Sequence, residues 1–462
     1  MDGKMKIFSS KYNYYYKVSP GYTIINNFLT GALDIIDSGI WDKVLGKRFE
    51  EIENDPLSSL VERGYYYKNL EDEEKLFIQL FKNLTKKAET RPIKFVLCPT
   101  FACNLNCSYC FEKNLFRSSS KPMSGKLLDH ALNAFKEFME KYNKNVNKIE
   151  LFGGEPLLKS TRTIVEKVLE FAVSQNMIIS IITNGVSAKD FIDILKPVKV
   201  NIEMLQITLD GPEFIHDKRK KFLSGKGSFK SITESINELV TSGINTNVRV
   251  NVDDENIEYL PQLYEFVTQM NWFDYPNFKI KPSQVTDHST LEYEYPVIFE
   301  EKLLEKLIEV YDRHPHLEDA FGFYMFKPIR HIIELTGGAE NVTPRYFNCE
   351  SSLVEEYVFC PDGYIYNCPE SIGNLETAIG EFYPGLKFYE DRIKMWSERS
   401  IMSIKECRTC RFSPICGGGC PYSSLLIYKD NRYPICERFQ EVLDTFFKYR
   451  GEKILEKFIK NI

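Results

Sequence analysis

The chain has 462 residues, too many for one ordinary core, so two or three domains are expected. With 43% hydrophobic and 27% charged residues it has the make-up of a folded globular protein, and a net charge of −6 supplies no global basic field for nucleic acid. No run approaches the roughly 18 apolar residues of a membrane span, and MDGKMKIFSSKYNYYYK lacks the apolar centre of a signal peptide; the expectation is a cytoplasmic, thiol-reducing location with neither membrane nor nucleic acid as partner.

Residues 1–90 hold no cysteine. YNYYYKVSPGYTIINNFLTG reads as a short hairpin, GALDIIDSGIWDKVL as helical, LVERGYYYK as a strand turned by glycine, and LEDEEKLFIQLFKNLTKK as an acidic-led helix. Together they predict a small winged-helix-like unit. From Ile93 the rhythm changes: IKFVL, KIELF, MIISIIT, EMLQITLD, TNVRVNV and NFKIKPS alternate with amphipathic stretches such as GKLLDHALNAFKEFMEKY and FKSITESINELVTSG. That alternation predicts repeated β-α units and a parallel sheet over 91–330, with chemistry collected at the strands' carboxyl ends. CNLNCSYC, GGEP, TNG and DGP all follow a predicted strand. A less regular connector, 285–345, carries EEKLLEKLIEVY; a cysteine-rich region, 340–440, and a final helical segment, 441–462, complete the chain.

The twelve cysteines are unevenly placed: none precedes Cys98, four fall between 98 and 110, and eight between 349 and 436. In a reducing compartment such grouping reads as metal ligation rather than disulfides. Cys103, Cys107 and Cys110, spaced C-x3-C-x2-C, suit one face of a [4Fe–4S] cube with the fourth iron left open. A structural zinc site takes four ligands, and neither His nor a fourth Cys stands at finger spacing. Cys98, inside IKFVLC, reads as a small buried hydrophobe.

CPTFACNLNCSYCFE resembles the cluster loop of the radical S-adenosylmethionine (SAM) superfamily. The resemblance implies an α/β partial (β/α)6 TIM-like barrel, an open iron that chelates SAM, and a 5′-deoxyadenosyl radical that abstracts a substrate hydrogen. It implies that Tyr109 packs near the adenine, unless it is an ordinary core aromatic. LFGGEPLL resembles the second-strand motif: Gly153 and Gly154 let backbone approach the ligand, and Glu155 accepts hydrogen bonds from the SAM ammonium. In TNG, Asn184 takes the ribose-side position. QITLDGPEFIHDKRK resembles the fourth strand and its loop, with Asp210, as a catalytic acid or base, and Arg219 positioning SAM or substrate; a solvated charged loop is the alternative. Arg249 and Asn251 alternate with valine in VRVNV, so both face one side.

The later cysteines resemble a seven-cysteine SPASM extension: Cys349-x13-Gly363-x4-Cys368, then Cys407-x2-Cys410-x5-Cys416-x3-Cys420, then Cys436. Carried over by position, Cys349, Cys368 and Cys420 hold a first auxiliary [4Fe–4S] cluster, and Cys407, Cys410, Cys416 and Cys436 a second, giving three clusters in all. A pair of zinc ribbons is the alternative. Cys360 departs from the pattern and is either a fourth ligand of the first auxiliary cluster or a buried strand residue. Anaerobic sulfatase maturases, which oxidise Cys or Ser to formylglycine, carry an Asp directly after the second cysteine of this element. Here Pro369 stands there and Glu370 follows as the candidate general base. The cysteine-free first ninety residues resemble instead the leader-gripping domain of ribosomal-peptide maturases, which adds a strand to its sheet; a packing cap on the barrel is the alternative. The expectation is a peptide maturase that forms a cross-link such as a thioether. Its partners are a precursor peptide with leader and an electron donor such as flavodoxin or ferredoxin. A sulfatase maturase and a non-catalytic iron–sulfur or zinc protein are the alternatives.

Overall fold

Short runs rich in Ile, Val and Leu form the expected parallel strands in the computed structural model, which describes residues 7–88, 90–114, 121–142, 146–285, 299–337 and 343–460. They are β1 (Ile93–Leu97), β2 (Val146–Leu151), β3 (Ile178–Thr183), β4 (Ile202–Thr208), β5 (Thr246–Val252) and β6 (Phe278–Gln284). Each pairs in parallel with the next, in the sequential order of a β/α barrel, and β6 is left as an outer edge. Parallel neighbours need crossovers, and helices Gly125–Tyr142, Arg162–Ser174, Phe229–Thr241 and Leu260–Gln269 supply most of them.

The sheet does not stop at β1. β7 (Glu356–Phe359) pairs with β1 in parallel, and β8 (Tyr364–Tyr366), β9 (Gly380–Glu381) and β10 (Lys387–Phe388) continue it antiparallel, making ten strands. The expected cut between 91–330 and 340–440 is therefore crossed by a hydrogen-bonded ladder. A bare β1 edge would leave a row of unpaired backbone groups, and side chains set the register that covers it. Lys94 on β1 lies 2.7 Å from Glu356 on β7 and 3.4 Å from Glu150 on β2. Phe95 stacks on Phe135 at 4.4 Å, and Phe359 meets Phe135 edge-on at 4.4 Å. The turn in VFCPDG joins β7 to β8 as expected, with Gly363 at φ +86°.

At the N-terminus Asn13–Lys17, Tyr22–Asn27 and Ala32–Asp37 form a three-stranded antiparallel sheet, followed by helices Ser38–Leu45, Asn54–Glu62 and Leu70–Ala88. GALDIIDSGIWDKVL is thus half strand, not all helix. Its ALDIID half pairs along Tyr22–Asn27, and Asp37 then caps the helix by accepting from Gly39 N at 2.8 Å and Ile40 N at 3.1 Å. Apolar residues at LDII fit either period, and the neighbouring strand decides between them. Tyr66–Tyr67 pairs with Phe8–Ser9. Glu300–Arg313 and Lys327–Thr336 pack against the last helix, Phe439–Lys460, while 286–298 and 338–342 of the expected connector and the last two residues of 441–462 lie outside the described residues. Tyr14 stacks on Phe447 at 5.9 Å and donates its hydroxyl to Asp444 at 2.8 Å, seating the N-terminal sheet on that helix.

Phe359 is fully buried against rings from β1 and the first crossover helix. Phe359→Ala is expected to lower the unfolding free energy by about 3–5 kcal/mol, and urea denaturation followed by tryptophan fluorescence checks it.

Candidate active site

The carboxyl ends of the barrel strands surround a cavity of about 320 Å³. Cys103, Cys107 and Cys110 line it, from the loop that leaves β1. That loop is held flat because Leu105–Cys107 pairs antiparallel with Lys220–Phe222, setting Cys107 opposite Lys220. A second hold comes from Gly154: a Cβ there would overlap the carbonyl oxygens of Phe101 and Ala102, so only glycine lets the loop lie against the end of β2. Gly153, at φ +125°, meets Cys98 in the same way.

Glu155 is buried and clamps two strand ends together. Its Oε1 accepts from Leu157 N at 2.8 Å and from the Thr183 hydroxyl, and its Oε2 accepts from Asn184 N at 2.6 Å. Asn184 in turn directs Nδ2 to Asn104 Oδ1 at 2.7 Å and to Cys103 Sγ at 3.6 Å. The TNG turn therefore holds the first thiol. Burial, then the Glu155 carboxylate, pushes the Cys103 thiol up to about 12.

Two residues expected at the ligand lie beneath it instead. Asp210 is 0% and Arg219 1% exposed, and neither is among the residues lining the cavity. Arg219 donates through Nη1 to both Asp253 oxygens at 2.7 Å, stands 3.6 Å from Asp210, and lies over the Tyr109 ring at 4.9 Å. Asp210 accepts from the Tyr109 hydroxyl and from Asn251 N at 3.0 Å. A buried guanidinium requires anionic partners, and Asp210 and Asp253 provide them. Their visible work is to fix Tyr109, whose ring does line the cavity. Arg249 and Asn251 share one face as expected: both line the cavity, and Arg249 Nε donates to Asn251 Oδ1 at 2.8 Å. HDKRK is not a solvated loop at its end.

Lys220 is the residue that the sequence reading passed over. It lines the cavity at 4% exposure, and although burial opposes its charge, Cys107, Asp210, Cys103 and Cys110 outweigh burial and raise its pKa. A lysine among four charged neighbours in sequence carries no mark of burial; its pairing opposite Cys107 is what turns it inward. Gln206 and Thr208, alternating on β4, also line the cavity and were equally missed.

The C-terminal region reaches the same cavity. Pro369 and Glu370 line it, directly after Cys368. The thiols beyond divide into two neighbourhoods. Cys368 is raised by burial, Glu370, Cys349 and Cys420; Cys407 is raised to about 12 by burial, Cys416, Cys410 and Cys436. Three consecutive left-handed glycines, Gly417 to Gly419, lay the GGGC turn on the backbone of Phe347 and of Ile435, next to Cys436. Cys360 belongs to neither group. It is fully buried at the end of β7, and the groups that act on its thiol after burial are Cys98, Asp362 and Glu112. It packs with Cys98, Val96 and Tyr366, in keeping with the buried-strand alternative of the two expected for it.

Three thiols with an ammonium and an amide N–H beside them form a donor set suited to an anionic, thiolate-ligated cluster. Among the described residues, no three His, Cys, Asp or Glu side chains converge closely enough to hold a single metal ion; the thiolates of a four-iron cluster each bind a different iron and stand further apart.

This loop lies at the carboxyl end of sequentially ordered parallel strands. Residues 97–267 match the model of the Radical SAM superfamily, and the chain carries a radical SAM domain. Enzymes of this superfamily bind a [4Fe–4S] cluster and SAM. The chain is 24% identical to a serine-type anaerobic sulfatase-maturating enzyme of Bacteroides thetaiotaomicron, over 72% of this chain and 83% of that one. It is 23% identical to the radical SAM cyclopropyl synthase TigE of Paramaledivibacter caminithermalis, over 89% and 86%. Its fold is similar to that of Streptococcus suis SuiB bound to precursor peptide SuiA, with TM-score 0.52 and 15% identity over 93% of this chain and 98% of that one.

Gly154→Ala is expected to push the cysteine loop off β2 and cut bound iron by about a third, the share of one cluster in three. Gly125→Ala, where a Cβ meets nothing within 4 Å, is expected to hold the unmutated level; iron per chain after anaerobic reconstitution decides.

Proposed function

We propose that the protein is a radical SAM peptide maturase, with a winged-helix-like leader-binding domain at 1–90, the barrel at 91–330 and a SPASM domain at 340–440. Cys103, Cys107 and Cys110 hold the SAM-binding cluster. Cys349, Cys368 and Cys420 hold one auxiliary cluster; Cys407, Cys410, Cys416 and Cys436 hold the other. When bound, SAM and its cluster supply a 5′-deoxyadenosyl radical that takes a hydrogen from the substrate.

The protein's own residues prepare that event. Lys220 sets a positive charge beside the three thiols and on the cavity wall, where it balances thiolate or carboxylate charge. Gly153 and Gly154 admit ligand to the backbone, and Glu155 and Asn184 keep the thiol loop in register with β3. Tyr109, locked by Asp210, Asn251 and Arg219, presents a fixed ring face to the adenine. Glu370 faces the cavity from the Cys368 segment, so it can take a proton from a substrate held between the radical site and the first auxiliary thiols. A cross-link, a thioether for example, is the proposed product. Auxiliary clusters held by these thiols would be able to accept the second electron, and a flavodoxin or ferredoxin is the proposed electron donor.

The observation that carries the peptide reading is the N-terminal sheet. Its outer strands, Asn13–Lys17 and Ala32–Asp37, offer edges of the kind to which an extended leader adds. The likeness to SuiB, a protein described with its precursor peptide, supports it across 93% of the chain. The sulfatase-maturase reading has its own support in the Bacteroides relative, and Glu370, an acid on the cavity wall one residue beyond the expected position, would serve it equally.

Mass spectrometry separates them. Anaerobic incubation with SAM, reductant and a short peptide encoded beside this gene is expected to give a loss of two hydrogens from the peptide. Conversion of Cys or Ser to an aldehyde in a sulfatase peptide instead makes the second reading correct. Cys103→Ala is expected to abolish SAM cleavage while leaving about two-thirds of roughly twelve irons, four per cluster. Persistent cleavage, or stoichiometric zinc in a colourless protein, removes the assignment.

A further inference from the structure

Arg399 lies within reach of both C-terminal thiol neighbourhoods. It lies just after helix Glu390–Ser397 and is 1% exposed. Its Nε donates to Asn431 O, and its Nη2 to Gly418 O at 2.7 Å and Tyr433 O at 3.1 Å. These partners are all neutral carbonyls, and its Nη1 is buried with no hydrogen-bond partner. A guanidinium taken out of water without an anion is costly, by several kcal/mol. The groups whose negative charge would favour it are four thiols: Cys420 and Cys349 from one neighbourhood, Cys407 and Cys416 from the other. Geometry agrees, because a Cβ on Gly418 would stand 3.4 Å from Arg399 Nη1 and 3.8 Å from Cys407 Sγ.

Three carbonyls fix the guanidinium plane, so its remaining N–H is aimed rather than free to turn. The anion this arrangement lacks is what a thiolate-ligated iron–sulfur cluster would bring. We propose that Arg399 is a positioning residue that bridges the two auxiliary clusters electrostatically, its Nη1–H donating to cluster sulfur and its charge raising both reduction potentials together. The proposal rests on the reading that both thiol groups carry clusters. Hydrogen bonds to cluster sulfur and nearby positive charge favour the reduced, more negative state, so one residue would keep two adjacent electron carriers at matched potentials.

EPR-monitored redox titration of the anaerobically reconstituted enzyme tests this, with iron per chain measured first. Arg399→Met is expected to retain iron and lower both auxiliary midpoint potentials. Arg399→Lys is expected to fall between Arg399→Met and the unmutated enzyme, and the SAM-binding cluster to stay unchanged in all three. Full iron with auxiliary potentials unmoved, or moved at one cluster only, overturns the role of Arg399 alone. About four irons in the unmutated enzyme, one cluster's worth, overturns the auxiliary-cluster reading and the proposal with it. If both variants lose iron, unmutated enzyme carrying guanidinium-15N arginine is read by pulsed EPR: a nitrogen coupling to the reduced auxiliary clusters supports the proposal, and its absence overturns it.

Discussion

The parallel pairing of Glu356–Phe359 with Lys94–Leu97 is the interaction on which the site depends. Strands that run parallel send their outgoing chains to the same rim. β1 leaves that rim as the three-cysteine loop. Because β7 is parallel to it, the chain after Phe359 emerges at the same rim, turns through β8, and brings Pro369 and Glu370, just past Cys368, to the cavity. An antiparallel β7 would have carried them to the opposite end of the sheet. Lys94, shared between Glu356 and Glu150, and the Phe95–Phe135–Phe359 rings hold this register against a slip that would turn every side chain to the wrong face.

Arg219, Lys220 and Arg399 are buried cations, and each has a place defined by what balances it. Arg219 is balanced by Asp210 and Asp253 and serves the Tyr109 ring. Lys220 and Arg399 differ. Lys220 is drawn to Cys107, Cys103 and Cys110 as well as Asp210, and among the described residues Arg399 donates to carbonyls and is favoured by thiols. Thiols repay such charges only as thiolates, and ligation is what keeps a buried thiolate ionised. The same low dielectric that raises Cys103, Cys407 and Cys416 towards 12 without ligation would make the ligated state strongly interacting with these two cations.

The peptide-maturase and sulfatase-maturase readings share this machinery and differ at its margins. Both use a radical near the three-thiol loop and an acid across the cavity. Glu370, on the cavity wall, is the acid proposed for either, which is why its position does not separate them. The N-terminal sheet does bear on the choice, since its outer strands offer edges of the kind to which an extended leader adds.

Much of the barrel was legible in the sequence. Alternating apolar runs and amphipathic stretches are local patterns, and all six strands fall within a few residues of where they were expected. The thiol spacings, the glycines of GGEP and the turn after β7 are likewise local, because loop ligation and backbone approach act over a handful of residues. The sequence by itself thus determined the β-α order, the grouping of the cysteines and the radical SAM domain. Only the tertiary structure decided what depends on distant partners. It showed ALDIID to be a strand because Tyr22–Asn27 lies alongside, and it placed Cys360 against Cys98. It sank Asp210 and Arg219 beneath the cavity and brought Lys220 and Glu370 to its wall. Whether a charged residue is solvated or buried depends on which chain packs over it, and no local pattern carries that.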